Sequence, residues 1–595
     1  MDERAPHGAD RCPGGGGDGD GAAPKTTRPD ADRDVPERVD AGPDDSAPAA
    51  AAHEDGTVVP VARRAWPRAA LTVVAALLVW FALAVPGDLP RVGPLGVIGL
   101  PVEALAIAAL AVTLPRRPLR VVAVALGVLL GLVVVIKGFD VGFTSVFDRR
   151  FDVLGDWYFL APAIGVLSDS AGRGWAVLAV VAAVAGVLAV LSVLPLAMTT
   201  VTASLARHRR AAVPVLVVFT LGWIGCALAG VTVAPGVPAA SANTGALVWS
   251  TVGQVRGDLA DRRTFAERIA DDEYASVPSN GLLTAMRGKD VLLVFVESYG
   301  RVALDVPEMS RIVRPALADA QRQLTAAGVR ARSAFLLSPT FGGASWLAHS
   351  TVQSGLWVDS QQRYDQLIGD RRLTLTRAFA RAGWRTVTDI PEMTGPWPQG
   401  RPFYGFDTLL TASDLGYRGP RYGYALMPDQ FILNSFRQRE LRPGHDRPVM
   451  AEIDLLSSHS PWVAPPPLVP WASVGDGSIY RQVVAAGRVD DADVRTRYAR
   501  TIAYSLRALA SFAATSDPDL VILAMGDHQP ATTVSGTDAS HQVPVMLLTA
   551  DRAVLDRVTG WGWTPGLQPA SDAPVWRMDA VRDRILSTFG PDEGR

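Results

Sequence analysis

The sequence predicts two structural units in series: a multi-span α-helical membrane domain, followed by an α/β domain with a mainly parallel sheet. Three observations carry this. Hydrophobic residues make up 48% of the 595 positions and charged ones 19%, too apolar a balance for an ordinary soluble chain. The apolar excess is gathered into five runs in the first half. Beyond Lys289, short apolar runs alternate with amphipathic stretches, the pattern of strands joined by helical crossovers.

Taken in chain order, residues 1–66 are rich in Gly, Pro, Ala and Asp. Such a segment buries too little apolar surface to offset its ordering entropy, so a disordered cytoplasmic tail is expected. It has no secretory-signal core and cleavage site near its start. A membrane domain of about five transmembrane helices is assigned to residues 67–236, with runs at 69–86, 92–114, 119–136, 175–198 and 212–233. Each approaches the roughly 20 residues that span a bilayer. Arg63, Arg64 and Arg68 precede the first run, Arg116, Arg117 and Arg120 separate the second from the third, and Arg207, Arg209 and Arg210 separate the fourth from the fifth. The loop after the first run offers only Arg91. This alternation places the N-terminus inside and everything beyond Val233 outside. The second run is the least regular, with Glu103 and several Gly and Pro. Between the third and fourth runs, the alternating charges and aromatics of Phe147 to Phe151 and Asp156 to Tyr158 fit an interfacial segment and an ordinary loop equally well. Linker helices are expected over 237–288, and an extracytoplasmic α/β domain over 289–595.

Composition also excludes classes. A formal net charge of -2 gives no footprint for a nucleic-acid partner. The two cysteines, Cys12 in the tail and Cys226 in an apolar run, give neither a disulfide framework nor a cysteine nucleophile in the C-terminal half. Few ionisable residues fall mid-span, Glu103 being the exception, which argues against a transport pathway.

Chemistry gathers where apolar runs end. The run 291–296 ends at Glu297, the run 521–525 at Gly526-Asp527-His528-Gln529, and the run 449–453 is followed by Asp454 and His459. Ligands of open α/β sheets bind beyond the carboxyl ends of strands. Carboxylate oxygens with imidazole suit Mn, Mg or Zn. A fourth segment runs from Ser338 through Thr340, Gly342, Gly343, Ser345 and His349 to Ser354-Gly355-Leu356. The glycine pair permits close approach of backbone to a phosphate, and a helix starting at Ser345 aims free N–H groups at an anion. Taken alone, the segment reads as a glycine turn with Ser345 capping a helix. Beside three strand ends bearing metal-type ligands, the Ser345 hydroxyl becomes a nucleophile candidate.

Together these residues resemble the alkaline phosphatase superfamily in its sulfatase-like membrane branch, nearest to lipoteichoic acid synthases and related phosphoglycerol transferases, with phosphoethanolamine transferases as relatives. The resemblance implies a sulfatase-like catalytic domain in which Glu297, Ser345, Asp527 and His528 hold a divalent metal ion. It further implies that Ser345 is the nucleophile, that His459 and His541 are active-site histidines, and that Arg401 binds phosphate; Asp454, His459 and His541 are an alternative set for a second metal. The reaction implied moves a phosphoglycerol-type group from a membrane phospholipid to an envelope glycan or polymer through a phosphoserine. The chain departs from the pattern in carrying Ser where lipoteichoic acid synthases usually carry Thr, and Thr340 is a rival hydroxyl. Ser345 is followed by Trp-Leu-Ala-His rather than the formylglycine signature, so sulfate ester hydrolysis is not expected. The alternatives are an extracytoplasmic phosphodiesterase or phosphatase, a sulfuric ester hydrolase-like protein, and a non-enzymatic protein that binds envelope polymer.

Overall fold

In the computed structural model, residues 66–86, 97–234, 237–393, 395, 397–422, 424–441, 446–483 and 492–591 are described. The expected disordered tail up to residue 65, with Arg63 and Arg64, and the loop bearing Arg91 lie outside the described residues. The N-terminal region contains α1 (Trp66–Ala84), α2 (Val102–Thr113), α3 (Arg116–Phe147), α4 (Leu160–Ala171), α5 (Arg173–Arg207) and α6 (Arg209–Leu228).

Three of these, α3, α5 and α6, are long and apolar enough to cross a membrane, against the five runs expected. The described part of α1 and all of α2 are shorter apolar helices. The described part of the second run falls short of a span because its residues 97–101 precede the helix. Leu100–Pro101 instead pairs in parallel with Ala240–Ser241, and a Cβ added at Gly99 would lie 2.8 Å from the Pro238 carbonyl oxygen. The 12 residues of α2 rise about 18 Å, short of the roughly 30 Å hydrocarbon core. The longest helices, α3 and α5, touch backbone to backbone: a Cβ at Gly127 would fall 2.4 Å from Pro195 Cα, the close approach that small residues permit between spanning helices. Lys137 of α3 donates to the carbonyls of Ala82 (2.9 Å) and Leu83 (3.3 Å) and to Thr244 Oγ1 (2.9 Å). Its ammonium thereby satisfies carbonyls that α1 leaves free at its C-terminus.

Past α3 the chain turns at Asp148, with φ of 52°. Arg149 grips Asp156 with two hydrogen bonds of 2.6 and 2.7 Å. Phe143, Phe147 and Phe159 pack against the Arg149 guanidinium, and Phe139 and Phe151 extend the aromatic cluster, while Trp157 and Tyr158 remain exposed. The segment is thus an ordered aromatic turn. The expected linker 237–288 is mostly one helix, α7 (Asn243–Ala270), followed by short 3-10 turns.

The C-terminal region is built on a nine-stranded sheet. Its strands are β1 (Val291–Val296), β2 (Arg330–Leu337), β3 (Arg385–Ile390), β4 (Thr408–Thr411), β5 (Val449–Leu455), β6 (Val521–Gly526), β7 (Gln542–Thr549), β8 (Thr564–Pro565) and β9 (Val575–Arg577). The spatial order is β8-β2-β7-β6-β1-β5-β3-β4, with β9 also on β2. The run from β6 through β1, β5 and β3 to β4 is parallel. The β6–β7, β7–β2 and β2–β8 pairings are antiparallel. A parallel return needs a long crossover; β6 and β7 are joined only by a loop with one short helix, Thr532–Ser535. Every residue of β1 is buried. Leu292, Val294 and Val296 face one core, where α8 (Pro307–Ala326) and α10 (Val494–Ala514) pack. Val291, Leu293 and Phe295 face the other, which receives Ala348 and Val352 of α9 (Ser345–Ser354). Burial on both faces explains why the strand reads as a continuous apolar run.

Candidate metal centre and nucleophile

Strand register sets the site. β1 and β6 pair in parallel with Val296 beside Gly526, so Glu297 and Asp527 leave neighbouring strands at the same level. Glu297, Asp527 and His528 each offer a ligand atom within 4.8 Å of the others, and all three are buried. His528 Nδ1 lies 2.7 Å from the Gln529 carbonyl. A carbonyl only accepts, so Nδ1 carries the proton and Nε2 presents its lone pair. That Nε2 is 3.5 Å from both Glu297 Oε1 and Asp527 Oδ2. Asp527 Oδ1 is held by the backbone N–H groups of Ser298 (2.7 Å) and His528 (2.8 Å), and Ser298 Oγ donates to Glu297 Oε1 at 2.6 Å. Burial first, and then the charge of Glu297, pushes Asp527 up to about 6. Two buried carboxylates facing an unprotonated imidazole nitrogen form a donor set short of positive charge. The residues fit a divalent cation of the Mn, Mg or Zn kind.

Ser345 lies against this set. It is the first residue of α9; the cap position is held by Ala344 with φ of 65°, so the hydroxyl is not consumed in capping. Ser345 Oγ donates to Glu297 Oε2 at 3.2 Å and lies 3.2 Å from His528 Nε2. The turn before it depends on Gly342 (φ 70°) and Gly343 (φ 153°). A Cβ on Gly342 would sit 1.9 Å from the Val146 carbonyl oxygen. The rival Thr340 is occupied within the turn, its Oγ1 donating to the Gly343 carbonyl at 2.5 Å.

The remaining expected residues divide. Burial lowers the His459 pKa to about 4, against the Ser460 backbone and the charge of Asp527, which act to raise it. Its Nδ1 donates to the Ser460 carbonyl at 2.6 Å and its ring stacks on Tyr424. It is a neutral imidazole with a lone pair on Nε2. His541 packs on Phe341; burial lowers its pKa, while the Ser338 backbone and the charge of Asp148 act to raise it. Its contacts are with the turn rather than with the carboxylates. Arg401 is exposed and donates to the Asp407 carbonyl at 2.8 Å. Asp407 in turn accepts from the Thr386 N–H at 3.0 Å. Arg401 therefore stands by the amino end of β3, opposite the strand ends that carry the cluster, because the short helix Gly400–Tyr404 folds back toward Asp407.

A second cluster differs from the set Asp454, His459 and His541. Asp454 joins His349 and Glu452, with His349 Nδ1 3.3 Å from Glu452 Oε1 and 3.7 Å from Asp454 Oδ1. Burial alone would lower the His349 pKa, but Asp454 and Glu452 raise it to about 10. Two periodicities make this cluster readable in the sequence. His349 is four positions beyond Ser345, on the same helix face, and Glu452 and Asp454 are two apart, on the same strand face.

No protein-family model matches the chain, and no curated protein matches it. Similar solved structures include the lipoteichoic acid synthase LtaP from Listeria monocytogenes, at 14% identity and TM-score 0.35, covering 52% of this chain and 74% of that one. Another is an alkaline phosphatase superfamily protein from Vibrio parahaemolyticus, at 14% identity and TM-score 0.34, covering 56% and 75%. A third is the Streptococcus pyogenes phosphoglycerol transferase GacH in complex with sn-glycerol-1-phosphate, at 12% identity and TM-score 0.31, covering 56% and 91%.

Proposed function

We propose that this protein is a membrane-anchored, metal-dependent phosphotransferase that moves a phosphoglycerol-type group from a phospholipid to an envelope glycan or polymer through a phosphoserine at Ser345. The observation that carries this is the Ser345 hydroxyl 3.2 Å from both Glu297 and His528 at the start of a helix. Glu297, Asp527, His528 and Ser345 would hold a divalent cation, which would supply a lowered hydroxyl pKa and neutralisation of phosphate charge. In the first step Ser345 Oγ bonds to phosphorus and loses its proton, while the bond from phosphorus to the diacylglycerol oxygen breaks and that oxygen gains a proton. The free N–H groups at the start of α9 stabilise phosphate oxygens. In the second step the oxygen of an acceptor hydroxyl bonds to phosphorus while the bond from phosphorus to Ser345 Oγ breaks. His459, neutral and with its Nε2 lone pair free of the Ser460 carbonyl, takes the proton of that hydroxyl, and the proton is returned to Ser345 Oγ.

Membrane position supports a lipid donor. Trp346, next to the nucleophile, packs on Phe159 and Tyr158 at 5.5 and 5.6 Å, and Trp157 and Tyr158 are exposed aromatics of the type found at head-group level. Arg116, Arg117 and Arg120 begin α3 and Arg207, Arg209 and Arg210 mark the α5–α6 junction, a distribution that supports cytoplasmic ends there and a sheet domain outside. Incubation with phosphatidylglycerol vesicles followed by intact-protein mass spectrometry is expected to show a glycerol phosphate adduct on Ser345. Diester cleavage with no adduct and with water as acceptor would replace this reading by a phosphodiesterase.

A further inference from the structure

The membrane helices enclose a cleft that the chemistry above leaves unused. It lies between the C-terminal end of α1, the C-terminal third of α3 and the middle of α5, lined by Leu78, Phe81, Val134, Gly138, Val190 and Leu194 among others, with a volume of about 520 Å³. That is within the roughly 300–1,000 Å³ of small-molecule sites. Lys137 is the one charged residue at its wall, and its ammonium is committed to Ala82, Leu83 and Thr244. The cleft thus offers carbon surface and no free charge.

We propose that this cleft seats an acyl chain of the diacyl phospholipid donor and so presents the donor's phosphodiester to Ser345. The inference rests on Ser345 being the phosphotransferase nucleophile and adds where the lipid sits. Three observations support it. First, the cleft is on the catalytic-domain side of the membrane helices. Gly138 precedes Phe147 by nine positions on one continuous helix, a rise of about 14 Å, and the Phe147 ring lies against Gly343, two residues before the nucleophile. Second, the aromatics at the level of Ser345 mark the head-group layer: Trp346 meets Phe159 and Tyr158. A chain lying in the cleft therefore has its glycerol and phosphate at that layer, beside the cluster. Third, the wall contains built-in room. A Cβ on Gly138 would meet nothing within 4 Å, although glycine in a helix interior is destabilising relative to alanine; the missing side chain keeps the cleft open. An acyl chain gains by dispersion and close packing against such a wall rather than by leaving water, since the surrounding lipid is equally apolar. This favours one seated chain over the exchanging lipids around the helices.

The test uses the full chain with Gly138→Leu and Gly138→Trp, which fill the cleft without touching the metal cluster, and Leu194→Trp from the opposite wall. Two rates are measured for each protein: diacylglycerol release from phosphatidylglycerol vesicles, and cleavage of bis(p-nitrophenyl) phosphate, a water-soluble diester with no acyl chain. The expected result is a fall of about ten-fold or more in the ratio of vesicle rate to soluble-diester rate, equivalent to about 1.4 kcal/mol. It is accompanied by loss of co-purifying phospholipid in native mass spectrometry of the tryptophan variants. An unchanged ratio, including an equal fall in both rates, overturns the proposal, as does phospholipid retained at the wild-type level. If the wild type cleaves neither substrate, the nucleophile reading fails by itself, and retention or loss of phospholipid still decides the cleft.

Discussion

A hydroxyl is chemically ordinary until its surroundings are named. Ser345 Oγ touches a carboxylate and an imidazole lone pair, whereas Thr340 Oγ1 is tied to a backbone carbonyl of its own turn. Ser345→Ala is therefore expected to cut turnover by about three orders of magnitude or more while metal content by elemental analysis stays near that of the wild type; Thr340→Ala is expected to keep most activity. A wild-type rate in Ser345→Ala would move the nucleophile elsewhere. Glu392 gives a stability expectation. Burial first, then the charges of Glu297 and Asp527, raise its pKa to about 7, although its backbone hydrogen bond and His349 act the other way. A folded-state carboxyl above its unfolded value binds more protons when folded, so stability falls as pH rises from about 4.5 to about 7. Glu392→Gln removes this contribution and leaves that of Asp527, so a shallower fall in melting temperature across the window than in the wild type checks it. At this scale the sequence was readable where a functional side chain ends a buried strand, as Glu297 and Asp527 do. It was not readable for Arg401, whose place depends on how a short surface helix folds back to Asp407.

At the scale of elements, the contact between α3 and the nucleophile turn is the joint that matters. Thr532 donates to the Ser145 carbonyl, and Gly342 lies where any side chain would strike the Val146 carbonyl. Gly342→Ala combines a left-handed φ of 70° with that collision, and is expected to cost about 1–3 kcal/mol and to lower activity with it, read by denaturant unfolding beside turnover. In the aromatic turn, Asp156 is 2% exposed and Arg149 is 35% exposed. Arg149→Ala leaves a buried carboxylate with fewer donors, and after allowance for solvent around Arg149 a loss of about 1–2 kcal/mol is expected. Helix lengths show where reading a sequence by hydropathy stops. The third, fourth and fifth apolar runs are helices long enough to span, but the second is divided at Pro101 by a strand pairing with residues far along the chain. No local window contains that partner.

Across the whole molecule, the parallel half of the sheet was legible because strands alternated with helical stretches. The antiparallel edge was hidden because the pairing of β7 with β2 depends on residues about two hundred positions apart, not on local pattern. Orientation can be checked directly: reporter fusions placed after the sixth helix are expected to be active only when the reporter works outside the cytoplasm, and a cytoplasmic signal would reverse the reading of the arginine clusters. The order of strands also has a consequence for biogenesis. Val291 of β1 pairs with Val521 of β6, so the first strand of the domain waits for one of the last before the sheet can close. Such high contact order makes folding slow and dependent on late chain segments. On the proposed topology, a polypeptide exported N-terminal end first would carry Glu297 across the membrane long before Asp527 and His528. Until translocation was nearly finished the candidate ligand set would not exist, and a phosphotransferase of the proposed kind would have no centre with which to attack the bilayer that is threading it.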